Sequence, residues 1–240
     1  LGLWRRRASC VMRVCLFDID GTLVNAGGAG QSAMEKALAR AFGVTRPTEG
    51  ISTAGRTDRA IIEDLMAFHG LPCDEATWER VREFYLEGLP VELARLDGLA
   101  LPGVNELLAE LSGRDDVVLG LLTGNLVEGA RRKLGHFGLD GHFDRDGQLF
   151  GGFGDHDRDR DDVARRGREH VRQELDWWEP KEVWVIGDTP LAVQCARAIG
   201  IRVLAVATGM FSRDEIAVGE PEQLLGDLGD TGRVVSILVE

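Results

Sequence analysis

The stretch Val14-Cys15-Leu16-Phe17-Asp18-Ile19-Asp20-Gly21-Thr22-Leu23 decides how the rest of the chain is read. Four apolar residues of strand propensity run straight into two aspartates, a glycine and a threonine. A short apolar run of this kind predicts a buried strand of a parallel sheet, covered on both faces. Ligands of such sheets bind beyond the carboxyl ends of the strands, so Asp18 and Asp20 are expected at the sheet's working edge. Two carboxylates this close repel unless something positive holds them, and a divalent cation meets that need. Gly21 allows a sharp turn after the strand. The same residues also fit an ordinary Asp-Gly turn behind a core strand, and ten residues do not separate the two readings.

At 240 residues the chain is long enough for one domain or for a core with a modest insert. Hydrophobic residues at 44% and charged residues at 28% are ordinary for a soluble globular protein. The net charge of -12 leaves no broad basic surface, which argues against nucleic acid or an anionic membrane as partner. A small phosphorylated molecule stays compatible, because a bound cation and a few placed basic side chains suffice to hold it. Cys10, Cys15, Cys73 and Cys195 show no CxxC pairing and read as separate thiols in a reducing, cytoplasmic setting. No apolar run approaches the roughly 20 residues that span a bilayer. Residues 1–11 read as an extension ahead of a compact protein starting near Met12, and oligomeric state is left open.

After the opening strand, the small residues from Asn25 to Gly30 read as a hinge, since no lysine follows at the place a phosphate-binding loop requires. Apolar spacing then predicts helices from Gln31 to Phe42, from Asp58 to His69 and from Glu75 to Leu89. No strand is expected within 26–97, so this block reads as a small helical domain inserted into a core made of 12–25 and 98–240. In Gly55-Arg56-Thr57-Asp58, Thr57 or Asp58 is a candidate N-cap, while Arg56 is free to reach a substrate.

From Pro102 onward, helices and strands alternate. Val117 to Leu122 predicts a strand that ends in Thr123-Gly124-Asn125, where a hydroxyl and turn amides form either an anion site or an Asx-type turn. A helix from Leu126 to Phe137 would aim its amino end at that anion. The acidic run Asp155 to Asp162 is not a calcium loop, because Arg160 and Arg166 stand where glycine and glutamate are needed. A strand from Val183 to Ile186 delivers Gly187-Asp188-Thr189-Pro190. Asp188 either completes an oxygen-rich metal site or caps the next helix ahead of Pro190. A strand from Arg202 to Ala207 and the apolar run Val234 to Leu238 close the core.

Asp18-Ile19-Asp20-Gly21-Thr22-Leu23 behind a hydrophobic strand resembles the first motif of the haloacid dehalogenase superfamily, mostly magnesium-dependent phosphatases. Leu122-Thr123-Gly124-Asn125, followed by Gly129-Ala130-Arg131, resembles the second motif in its phosphoglycolate-phosphatase-like branch, and Gly187-Asp188-Thr189-Pro190 resembles the fourth. The resemblance covers nearly the whole chain after residue 12. It implies an α/β fold, a doubly wound and mostly parallel sheet with an inserted helical cap. It also implies Asp18 as nucleophile and Asp20 as general acid/base, with Mg2+ held by Asp18, Asp20 (through its backbone carbonyl) and Asp188. Thr123 would be a phosphate ligand, assisted by Gly124 and Asn125, and Arg56 a substrate contact from the cap. The third-motif cation falls on Arg160, with Arg158 as competitor; Lys181 opens a strand at the wrong end. The expected substrate is a small phosphorylated metabolite. Mutase chemistry uses the same residues. Dehalogenation is disfavoured by Asp20 and Asp188, and Ala192, where relatives carry a second aspartate, leaves room for a weakened or non-catalytic relative.

Overall fold

The computed structural model describes residues 12–175 and 179–239. The extension 1–11, with Cys10, lies outside the described residues. Strands β1 (Arg13–Phe17), β2 (Val117–Leu122), β3 (Gly151–Gly152), β4 (Val183–Gly187), β5 (Arg202–Val206) and β6 (Gln223–Leu225) form one parallel sheet in the order β6-β5-β4-β1-β2-β3. The opening strand is therefore central, with β2 on one side and β4 on the other. Its alternate residues enter two cores. Cys15 and Phe17 pack with one face, Val14 and Leu16 with the other.

Helices α1 (Ala29–Phe42), α2 (Asp58–Phe68) and α3 (Glu75–Arg95) follow β1 as one block. Next come α4 (Val104–Ser112), α5 (Val127–His136), α6 (Arg160–Glu174), α7 (Pro190–Ala198), α8 (Arg213–Ala217) and α9 (Thr231–Val239). Leu107 of α4, Leu134 of α5 and Val234 of α9 join Phe17, Leu119 and Ile186 on one face of the sheet. Val163 of α6 and Val193 of α7 join Leu16, Val118 and Val185 on the other. Helices on both faces explain why the strands read as unbroken apolar runs. The final apolar run lies within α9. Among the described residues no helix is long and apolar enough to cross a membrane.

The helical cap has its own core, in which Met34 and Leu38 meet Ile62, Leu65, Trp78 and Tyr85. Two-residue strands at Val24–Asn25 and Leu99–Ala100 pair antiparallel where the chain leaves and re-enters the α/β part. Buried Glu92 of α3 ties the cap together, accepting from Ser32 and Lys36 of α1 and from Arg95. Those bonds outweigh its burial and hold its carboxyl down at about 2.

Three elements differ from expectation, strand β6 (Gln223–Leu225) among them, since no strand was expected after Ala207. Helix α3 continues through Pro90 to Arg95 instead of ending at Leu89. Proline has no N–H for the carbonyl four residues back, which here is Leu86. The guanidinium of Arg132, on α5, donates to that oxygen instead. Strand β3 was not expected either, because a Gly-Gly pair carries no strand propensity; it is recruited as an edge by Leu121 and Leu122.

Candidate active site

The register of the sheet builds the site. Phe17 of β1 pairs with Leu121 of β2 and Ile186 of β4. Asp18 then emerges level with the last residues of both neighbours, just short of Thr123 and Asp188. Gly21, at φ +81°, turns the chain back so that Thr22 Oγ1 donates to Asp188 Oδ1 at 3.1 Å. A cavity of about 340 Å³ opens here, walled by Asp18, Asp20, Asn125, Lys133, Arg160 and Asp188 from the core. Ala29, Arg56 and Ile61 close it from the cap.

Asp18 is 5% exposed and both its oxygens are held. The Ile19 N–H donates to Oδ1 at 2.8 Å, and Arg160 Nη2 donates to Oδ2 at 2.9 Å. Arg160 is the first residue of α6, behind the N-cap Asp159. A buried cation is unfavourable at a helix amino end, and the Asp18 carboxylate offsets that. Arg158 points elsewhere, to Glu63 and Asp64 on α2. Lys181 stands in the turn that precedes β4.

Asp188 is buried, and burial together with the charge of Asp18 pushes its carboxyl up to about 7. Thr189 caps α7, accepting from the Ala192 N–H, so Asp188 is free of that duty. Ala192 is buried with its methyl against Gly187, where no carboxylate reaches the cleft.

Asp20 has a different environment. Its side chain is 47% exposed, while its partner Lys133 is 4% exposed. Lys133 Nζ lies 2.6 Å from Asp20 Oδ2, and Asn125 Nδ2 donates to the same oxygen at 2.9 Å. Burial in the cleft opposes ionisation, but the Lys133 charge and these two bonds outweigh it and hold the carboxyl below its usual range. Lys133 was not anticipated from sequence. Its signal was a lysine in phase with Leu126, Ala130 and Leu134 on the inward face of α5.

The remaining expected contacts are placed less directly. Thr123 reaches the strand end fully buried, its Oγ1 accepting from Asn125 Nδ2 at 2.8 Å. Gly124 carries the cap. A Cβ there would stand 2.1 Å from the Arg56 carbonyl oxygen, and its own carbonyl accepts from the Asp58 N–H at 2.7 Å. Arg56 borders the cavity, yet its guanidinium is spent on Asp64 at 2.5 Å and the Ser52 carbonyl at 3.1 Å. The amino end of α5 is not open to an anion, because Asp58 accepts from Leu126 N–H and Asp155 from Val127 N–H. Thr57, not Asp58, caps α2. Buried Asp58 instead joins cap to core, with Tyr85 Oη donating to Oδ2 at 3.1 Å, and burial pushes its carboxyl up to about 6.

Known proteins share this fold. A predicted phosphatase from Clostridium acetobutylicum superposes with a TM-score of 0.67 at 19% identity, over 94% of this chain and 99% of that one. A predicted phosphoglycolate phosphatase from Haemophilus somnus gives 0.66 at 18% identity, over 93% and 98%. CbbY from Rhodobacter sphaeroides, solved in complex with phosphate, gives 0.66 at 17% identity, over 92% and 97%. In sequence, the bifunctional riboflavin kinase/FMN phosphatase of Arabidopsis thaliana is 30% identical over 108 residues. That match spans 45% of this chain but 26% of the plant protein's length. The family model described as haloacid dehalogenase-like hydrolase matches residues 15–197, from inside β1 to the penultimate residue of α7. With the acidic strand ends inside that span and the same fold around them, the chain belongs to the haloacid dehalogenase-like hydrolase family.

Proposed function

We propose that this chain is a magnesium-dependent phosphatase that hydrolyses a small phosphorylated metabolite through an aspartyl phosphate on Asp18. The observation that carries this reading is Asp18 itself, fixed by Arg160 and the Ile19 amide at the end of the central strand and facing a cavity of about 340 Å³. That volume suits a small ester. The family membership and the phosphatases among its structural relatives point the same way.

The donor set fits a hard divalent cation. Asp18 and Asp188 stand at adjacent strand ends, and Arg160 pairs with only one of them, leaving Asp188 crowded by like charge. No group of three or more His, Cys, Asp or Glu side chains among the described residues is arranged as a metal cage. The family resemblance implies that the backbone carbonyl of Asp20 would be the third protein ligand, beside the carboxylates of Asp18 and Asp188. Such a cation supplies charge neutralisation for the phosphoryl oxygens.

The side chains do the rest. A carboxylate oxygen of Asp18 attacks phosphorus as the ester oxygen leaves, and Asp20 protonates that oxygen. This step requires Asp20 in its protonated form, which the Lys133 charge opposes in the free protein. Asp20 then takes a proton from the water that displaces Asp18. Arg160 steadies Asp18 and the transferring charge, while Thr123 and Asn125 shape the adjoining wall. Phosphate release from a panel of phosphorylated metabolites and p-nitrophenyl phosphate, with and without Mg2+, tests this. Metal-dependent release is expected; absence of release from every ester overturns the reading.

A further inference from the structure

Lys133 is a charged cleft residue that none of the motifs accounts for. Taking an ammonium out of water is costly, and Lys133 is 4% exposed with a partner that is itself half open to the cavity. The pair is thus a poor source of stability. Its geometry is more informative. Lys133 and Asn125 both bind Oδ2 of Asp20, from two directions, at 2.6 and 2.9 Å. Oδ1 accepts no hydrogen bond among the described residues. The start of α1, at Gly28 to Gly30, lies over the same wall of the cavity.

Building on the phosphatase reading, we propose that Lys133 is a positioning residue, clamping one oxygen of Asp20 with Asn125 so that the other faces the leaving group and then the water. In the first step a proton passes from Asp20 Oδ1 to the departing alcohol oxygen as its bond to phosphorus breaks and the Asp18–phosphorus bond forms. In the second, the same oxygen accepts a proton from water as the water oxygen bonds phosphorus and Asp18 is released. Ester and water become alcohol and phosphate. Lys133 keeps its proton throughout and touches no reacting atom.

The test uses the full chain with Mg2+ and p-nitrophenyl phosphate. Lys133→Met is expected to lower kcat by about 10- to 100-fold, short of the full worth of a general acid or base, with KM nearly unchanged. Lys133→Arg restores most of the rate, and Lys133→Gln, which keeps a donor, falls between them and serves if the methionine variant misfolds. In an Asp20→Asn background, Lys133→Met adds little further loss, because the lysine acts through that carboxylate. A raised KM at unchanged kcat would make Lys133 a substrate-binding residue and overturn the proposal; so would a full additional loss on Asp20→Asn. Wild-type protein that releases nothing overturns the phosphatase reading, whereas active wild type with an unaffected Lys133→Met variant overturns this inference alone.

Discussion

The two sides of the cleft use the same device, an aspartate paired with a cation from a helix, to opposite effect. On the Asp18 side both partners are sealed, at 7% and 5% side-chain exposure, and both carboxylate oxygens are occupied. On the Asp20 side only the cation is sealed, and one oxygen stays open. The difference matches the two tasks assigned to them. An attacking group needs one fixed direction, while a proton carrier must meet an alcohol and a water in turn.

Experiments that break the contrast start with its sealed side. Asp18→Asn is expected to lower phosphate release at least about a thousand-fold with an unchanged circular dichroism spectrum, and retained turnover would remove Asp18 from the mechanism. Arg160→Met strands a buried carboxylate and should destabilise the metal-free protein by about 3–5 kcal/mol in urea unfolding. Lys133→Met, whose partner faces water, should cost about 1 kcal/mol or less. Equal losses would mean that exposure is not what separates the two pairs. Saturating Mg2+ should raise the melting temperature, by an amount worth about 2.7 kcal/mol at a hundred-fold excess over Kd. Asp188→Asn should erase that gain.

A further effect, on the order of 3 kcal/mol in full, is a slope with pH. Asp58 faces Tyr85, the Leu126 amide, Lys133 and Asp20, and its carboxyl sits at about 6 against 3.8 in an ordinary setting. Between those values the folded state holds more protons than the unfolded one, so this carboxyl lowers stability as pH rises and levels off above about 6. Asp58→Asn keeps an acceptor for both donors and should lessen the slope in thermal melts from pH 4 to 7, leaving the share of Asp188, whose carboxyl is also raised. An unchanged slope would place its origin elsewhere.

The sheet was legible because its strands are short apolar runs ended by turn residues, and Asp18, Asp20 and Asp188 are legible as the residues at those ends. Arg160 and Arg158 could not be separated in sequence, since an angular difference across one N-cap sends one to the nucleophile and the other to α2. Lys133 was hidden between Arg131, Arg132 and a helix pattern in which lysine counts as outward. Gly124 and Asp58 read as local turn and cap residues, yet both serve contacts between the cap and the core. Pairwise contacts across a domain junction leave no periodic trace, which is why they escaped.

Pro90 has a consequence for how the cap is joined to the core. By leaving Leu86 O without its helical donor, it draws in Arg132, the immediate chain neighbour of Lys133. The cap thus grips α5 at its first turn through Asp58 and again one residue before the clamp on Asp20. The same helix carries both the grip of the cap and the lysine that holds the proton carrier, so any displacement of one would be felt by the other.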